Sequence, residues 1–367
     1  LHIANELEIE VRFEPDPDAR SRADKPLPPV YEELARALTD SPPRRDDIGT
    51  RCDHLGHYVI VVGDDEDFLE ALQPLIDWKK RKGYTVTIAD LGEIGDGLED
   101  LQVWLEDAWE RWPDPPTYIL LAGDVQGDAR IPTFRDFRGP NQGWHASDNP
   151  YVTWEGDDGP DEWTPEAFIG RFAATNVGEL RALVSKELSY EMTPFTEDPW
   201  VEGAVLIANG VNSCIQTNIS IRELMQGVGY RRNDILEAYS DWHQGQRPDI
   251  NAIMNHIDAG VGFVNFRGYN NWGDIYPHHI RALTNGTKLP VVTGMVCSTN
   301  DYTNTWHDAQ PECRGEAWQR AWSNGARGGI ACYGPTDLYT HTWFNNTMDG
   351  ELSLIHISEP TRPLYIS

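Results

Sequence analysis

Short runs of consecutive apolar residues alternate with amphipathic stretches along most of this chain, and that alternation predicts an α/β fold. "YVIVV" from Tyr58 to Val62 is β-branched and uniformly apolar, the mark of a strand buried on both faces, and it ends at Gly63-Asp64. Phe68, Leu69, Leu72, Leu75 and Ile76 then recur at helical spacing, with Pro74 inside the stripe and Gly83 as the stop. "YTVTIADL" reads as a second strand. Leu98, Leu101, Trp104, Leu105, Ala108 and Trp109 form a second helical face, and "TYILLAGDV" is a third strand that again ends in Gly-Asp. Strand, helix, strand, helix, strand implies parallel βαβ units. Asp64 and Asp124 are then expected at the carboxyl edge of the sheet, where open α/β sheets hold their sites, or as local caps.

Residues 127–165 are polar and aromatic and read as loop. "AFIGRF" returns to strand, and Leu180, Leu183, Val184 and Leu188 give a helix capped by Asn176. A second α/β half follows. "GAVLIANG" is a strand, residues 219–226 a helix, and "DINAIMNHIDAG" an amphipathic helix ending at Gly260. "VGFVNF", "LPVVTGMVC" and "GGIACYG" are three further strands. "RGEAWQRAWSNG" reads as a helix with Trp318 and Trp322 on one side. Trp144, Trp154, Trp163, Trp242, Trp272 and Trp306 fall in loops, where they line a cleft or pack beneath the loop.

Composition narrows the classes. A 367-residue chain with 40% hydrophobic residues can build one large or two ordinary domains, and its net charge of −29 repels phosphate backbones and anionic membranes, so nucleic acid is excluded as a partner. No apolar window reaches the length of a membrane span. Cys52, Cys214, Cys297, Cys313 and Cys332 show no CxxC pairing, so no zinc site is expected, and their odd number leaves at least one thiol unpaired. No GxGxxG or P-loop supports a nucleotide site.

The ends stand apart. Residues 1–15 alternate like one strand from a preceding β-rich domain, and residues 16–55, rich in Pro, Asp and Arg, read as a linker. Residues 352–367 ("LSLIHISEPTRPLYIS") resemble translated sequencing-adapter read-through, so the natural chain is expected to continue beyond about Gly350 as part of a longer multidomain protein.

The chemistry converges on two neighbouring strand ends. Cys297 closes "VVTGMVC" and is followed by the polar "STND"; there a sulfur can be exposed beside loop N–H groups that hold a thiolate and later an oxyanion. The strand "VGFVNF" ends at Gly268-Tyr269, and adjacent parallel strands set these tips side by side, the geometry covalent catalysis requires. Buried, inert thiol is the alternative for Cys297.

These motifs carry a resemblance. "YVIVVGD", "YILLAGD", "SDNPY", "FIGRFAATNVGEL", "LSYE", "FVNFRGYN", "GMVCSTNDY" and "ECRGEAW" leading into "NGARGGIACYG" resemble, in order and spacing over about residues 56–350, the gingipain family of cysteine peptidases. The resemblance implies a caspase-like α/β/α sandwich with a mostly parallel sheet in two packed subdomains, residues 56–200 and 201–351. It implies a secreted or cell-surface endopeptidase acting on protein or peptide substrates without a required cofactor. The family pairs a His in a Gly-His-Gly tip with a Cys at the next strand end. Cys297 matches the Cys and Gly268 the first glycine, in the oxyanion region, but Tyr269 occupies the His position and Asn270 replaces the second glycine. A phenol with an ordinary pKa of roughly 10 is a poor proton acceptor near neutral pH.

His145, His278 and His279 are candidate replacement bases, with His243 and His307 weaker ones. Asp148 resembles an acid lining the family's site, able to orient a base or bind a basic side chain, or simply to cap a loop. Asp157, Asp158 and Asp161 in "EGDDGPDE" supply oxygen ligands for a structural calcium, as the family often carries, or form a solvated acidic loop. Two further functions stay open: a catalytically silent homologue serving binding or assembly in a larger surface protein, and an α/β protein binding a small ligand at its Gly-Asp strand ends.

Overall fold

A computed structural model describes residues 55–137, 144–154, 165–193, 198–241, 245–303, 312–337, 340, 342 and 345–350. The stretches expected to be a preceding strand and linker (residues 1–54), and the adapter-like end (352–367), lie outside the described residues.

The first half is a four-stranded parallel sheet in the order β2-β1-β3-β6, from β1 (His57–Val62), β2 (Thr85–Asp90), β3 (Pro116–Ala122) and β6 (Phe168–Phe172). The continuous apolar run of β1 is explained by its two covered faces. Ile60 and Val62 pack with Phe68, Leu72 and Leu75 of α1 (Glu66–Lys82) and Leu180 and Leu183 of α4 (Val177–Met192). Val59 and Val61 pack the other way, with Leu101 and Leu105 of α3 (Leu98–Arg111), while α2 (Leu91–Ile94) is a single short turn. The Asp65 side chain caps α1 by accepting the Asp67 and Phe68 N–H groups, Gly83 ends it in the left-handed region, and Pro74 is accommodated without breaking it.

The second half is a five-stranded parallel sheet in the order β11-β10-β9-β7-β8, from β7 (Ala204–Asn209), β8 (Ile235–Ser240), β9 (Phe263–Arg267), β10 (Val291–Met295) and β11 (Ala331–Tyr333). One face meets α5 (Asn212–Gly227) through Leu206, Ile221, Met225 and Phe263. The other meets α6 (Ile250–Ala259), α7 (Pro277–Arg281) and α8 (Arg314–Arg320) through Ile253, Ile257, Val264, Ile280, Ala317 and Trp318. Each half is therefore an α/β/α layer, as the pattern predicts.

Three local expectations are corrected. The stretch read as loop contains an antiparallel pair, β4 (Phe134–Phe137) with β5 (Trp144–Ser147), too short to announce itself by alternation. Helix α5 begins at Asn212 rather than residue 219, because its first turns bury Cys214 and Asn218 instead of an aliphatic stripe. Helix α8 stops at Arg320, so Trp322 lies in a turn, 40% exposed, and does not share the buried face of Trp318.

The halves are joined by buried polar contacts. Arg320 at the end of α8 donates to Asp124 Oδ2 at 2.5 Å and to the Ala173 carbonyl. Lys186 of α4, buried, donates to the carbonyls of Trp318 (3.1 Å) and Gln319 (2.6 Å). Asp124 thus belongs to a structural ion pair. Its neighbour Gly123 has no room for a side chain, since a Cβ there would lie 2.3 Å from the Ala129 carbonyl oxygen. The Gly-Asp end of β3 is covered by its own loop.

Candidate active site

Strand register brings the two predicted tips together. Met295 of β10 pairs with Arg267 of β9, so Val296-Cys297 continues beside Gly268-Tyr269. β7 flanks β9 on its other side, and its end, Asn209-Gly210, completes the floor. Cys297 is a half-buried free thiol. The backbone turns sharply after it: Ser298 adopts a left-handed φ of 54°, and its N–H donates to the Asp337 carbonyl at 2.9 Å. Asn300 is fastened likewise, its N–H to the Pro335 carbonyl at 3.0 Å and its amide to the Cys332 and Gly334 carbonyls.

The β9 tip is equally fixed. The Tyr269 N–H donates to Asn209 Oδ1 at 3.1 Å, so this donor is committed within the protein. The Tyr269 ring lies over Gly210, which has φ 105°, and a Cβ there would come within 2.3 Å of the ring. Only glycine fits both the conformation and the contact. Tyr269 remains 37% exposed, so its ring forms part of the surface above the tip and does not fill a sealed cavity. Past the tip, Trp272 is fully buried. It stacks on Phe266 with centroids 4.7 Å apart, and its Nε1–H donates to Thr299 Oγ1 at 3.1 Å, tying the tip loop to the turn after Cys297.

Arg267 holds both tips and was not singled out by the sequence reading. Its guanidinium is buried, donating to the carbonyls of Gly268 (3.0 Å) and Met295 (2.9 Å), to the Thr342 carbonyl (2.7 Å) and to Asn346 Oδ1 (2.6 Å). The signal was present: an arginine ending an otherwise apolar strand must find acceptors for its donors. Nearby, burial pushes the Asp349 carboxyl up to about 7, against the Asn265 amide donor and the Arg267 charge.

Two of the candidate bases, His278 and His279, make their described contacts with each other and with Tyr276. His279 Nδ1 accepts the Tyr276 N–H at 3.1 Å, and burial, then the neighbouring His278, lowers its pKa. His278 and His279 have ring centroids 3.9 Å apart on α7. The backbone of His145 pairs with Asp136 in the β4–β5 hairpin. No histidine is among the hydrogen-bond partners of Cys297 in the described residues; its sulfur lies 3.6 Å from Thr340 Oγ1. His243 and His307 fall outside the described residues, as do the candidate calcium ligands Asp157, Asp158 and Asp161.

Asp148 is engaged internally. Arg171 of β6 grips it with two bonds, 2.9 Å to Oδ2 and 2.8 Å to Oδ1, and the Thr133 hydroxyl adds a third at 2.9 Å. The other Arg171 donors reach the carbonyls of Gly123, Ile131 and Pro132. Tyr302, in the turn downstream of Cys297, covers the Arg171 guanidinium at 5.1 Å and meets Thr133 at 3.1 Å. The pair therefore links the β4–β5 region to the turn after Cys297.

Packed α/β/α layers with mostly parallel sheets match the caspase-like architecture of the gingipains. The chain belongs to peptidase family C25, whose model matches residues 53–359. It is 26% identical over 347 residues to Lys-gingipain of Porphyromonas gingivalis, covering 89% of this chain and 18% of that protein. It is 24% identical over 286 residues to gingipain R2 of the same species, covering 74% of this chain and 35% of that one. The chain thus spans well under half the length of these curated relatives. The crystal structure of the Arg-specific cysteine proteinase gingipain R shares the fold, with a TM-score of 0.69 at 23% identity over 83% of this chain and 68% of that one. By homology the chain is classed as a cysteine-type peptidase. No helix among the described residues is long and apolar enough to cross a membrane.

Proposed function

We propose that the chain is a gingipain-type endopeptidase domain in which Cys297 is the nucleophile. The observation that carries this is a free, half-buried thiol at the end of β10, set beside the β9 tip by strand register in a chain of family C25. The Cys297 thiolate attacks the peptide carbonyl carbon. A thioester forms, the C–N bond breaks, and the departing amine takes a proton; water then hydrolyses the thioester and restores the thiol. The Cys297 N–H makes no hydrogen bond to a described residue and is the leading oxyanion donor, whereas the Tyr269 N–H is committed to Asn209.

Tyr269 stands where the family carries its histidine, so proton transfer falls to a substitute among His145, His278 and His279, and turnover is slow. Removing one member of a catalytic unit typically costs thousands-fold or more. Protein or peptide is the substrate, and the domain belongs to a longer secreted or cell-surface protein.

A second reading is favoured by one observation: the tip is locked with a phenol in place of an imidazole, its N–H on Asn209 and its ring on Gly210. In that reading the domain is a silent homologue that binds or assembles. A peptidyl acyloxymethyl ketone separates the two, because its thioether forms with loss of a carboxylate only where a positioned thiolate attacks. Selective labelling of Cys297 supports the peptidase; labelling of no cysteine, or of all alike, supports the silent homologue.

A further inference from the structure

The position-269 phenol leaves the sulfur without the imidazolium that would ordinarily hold a thiolate. The structure offers a different donor. Thr340 Oγ1 lies 3.6 Å from Cys297 Sγ, within reach for a hydrogen bond to sulfur. The same oxygen accepts a bond from the Asn345 side-chain amide at 2.7 Å. A hydroxyl has one proton and two lone pairs. With the amide on one lone pair, the other lone pair and the proton remain; toward a thiolate, which has no proton to give, only the Thr340 O–H can donate. Asn345 is itself buried, at 4% exposure, so this orientation is built in and not a solvent accident. The segment is anchored as well: Thr342 and Asn346, on either side of Asn345, both accept bonds from Arg267, the residue that holds the two strand tips.

We propose that Thr340 is a positioning residue for Cys297: its hydroxyl, oriented by the Asn345 amide, donates to the sulfur and holds the thiolate in a site where position 269 supplies no imidazole. The inference rests on Cys297 being the reactive thiol, but not on turnover. Hydrogen bonds to a charged acceptor are the strong ones, and they favour the charged form of the group that receives them. Neither residue belongs to the Cys-His pair that the tips were expected to carry. The relay substitutes for part of what a histidine does, stabilising the thiolate, but it cannot accept the proton.

The test reads Cys297 alkylation by iodoacetamide against pH, followed by mass spectrometry of the peptide that contains it. The titratable and charged residues on adjoining elements are Arg267 at the end of β9 and Tyr269 at the tip beyond it, Cys332 and Tyr333 on β11, Asp301 in the turn after Cys297, Asp337 across from Ser298, and Asp349 near Arg267. All are kept in every variant and cancel from the comparison. In Thr340→Val the pH of half-maximal alkylation should rise by about one unit, a roughly tenfold slowing below that midpoint. Thr340→Ser should return it to the parent value. Asn345→Ala, which keeps the hydroxyl but frees its orientation, should give a smaller rise and serves if Thr340→Val does not fold. An unmoved midpoint in the folded Val and Ala variants overturns the proposal, as does an equal rise in Val and Ser, which would make the effect one of packing. Peptide hydrolysis is measured separately. Its absence beside a Thr340-dependent midpoint would defeat the peptidase reading and leave the relay standing; hydrolysis with an unmoved midpoint would do the reverse.

Discussion

At the scale of single residues, the proposed chemistry turns on position 269. Its backbone is already held by Asn209, and its ring already sits over Gly210 at the tip beside Cys297. An imidazole at this position, turned from Gly210 toward β10, would face the strand end that carries Cys297. Tyr269→His is therefore expected to speed iodoacetamide alkylation of Cys297 near neutral pH by at least about tenfold, since a nearby imidazolium favours the thiolate. Equal rates would mean the tip no longer aims at the sulfur. Arg267 acts differently. Replacing it with methionine strips donors from two buried carbonyls, a partly buried third and one amide oxygen. With each orphaned acceptor costing about 1–3 kcal/mol, a loss of at least about 3 kcal/mol in urea unfolding is expected. A loss below about 1 kcal/mol would show that water replaces the guanidinium.

At the scale of elements, the sequence pattern was most informative where burial is two-sided. β1, β3 and β7 read directly as strands because each holds an unbroken apolar run, and α1, α4 and α6 because their caps and stripes agree. The β4–β5 pair was hidden, since a four-residue strand carries too little periodicity. The site was half legible. Cys297 and Tyr269 follow from strand ends plus resemblance, but Thr340 and Asn345 lie more than forty residues downstream, and only the fold brings them to the sulfur. Asp148 was legible as a residue of interest, but its partner Arg171 was not, because nothing local in "FIGRF" shows which way the arginine turns. The Trp272 ring, stacked on Phe266 beneath the tip, is the packing element of the site. Trp272→Ala should cost about 3–5 kcal/mol in equilibrium unfolding, as large aromatic truncations in cores do. A cost under about 1 kcal/mol would mean that the loop refills the space.

At the scale of the whole molecule, the two sheets are coupled through ionisable groups that carry no chemistry of their own. Burial pushes the Lys186 amine down to about 7, although two carbonyls of α8 accept its bonds. The unfolded lysine titrates near 10.5, so between about pH 7 and 10.5 the unfolded chain binds more protons than the folded one. The contribution of Lys186 to stability therefore rises with pH across that window and is flat below it. Lys186→Met should lower the slope of unfolding free energy against pH between 7.5 and 9.5 by up to about 1.4 kcal/mol per unit. An unchanged slope would place the charged amine in the folded state.

Cys297 is proposed as a peptidase nucleophile on a site slowed by Tyr269. The most direct measurement is the initial rate of casein hydrolysis by the parent chain, Cys297→Ala and Tyr269→His, compared at one enzyme concentration. That role predicts slow hydrolysis by the parent, none by Cys297→Ala and at least about tenfold more by Tyr269→His. Hydrolysis that survives in Cys297→Ala, or its absence from both the parent and Tyr269→His, would contradict it.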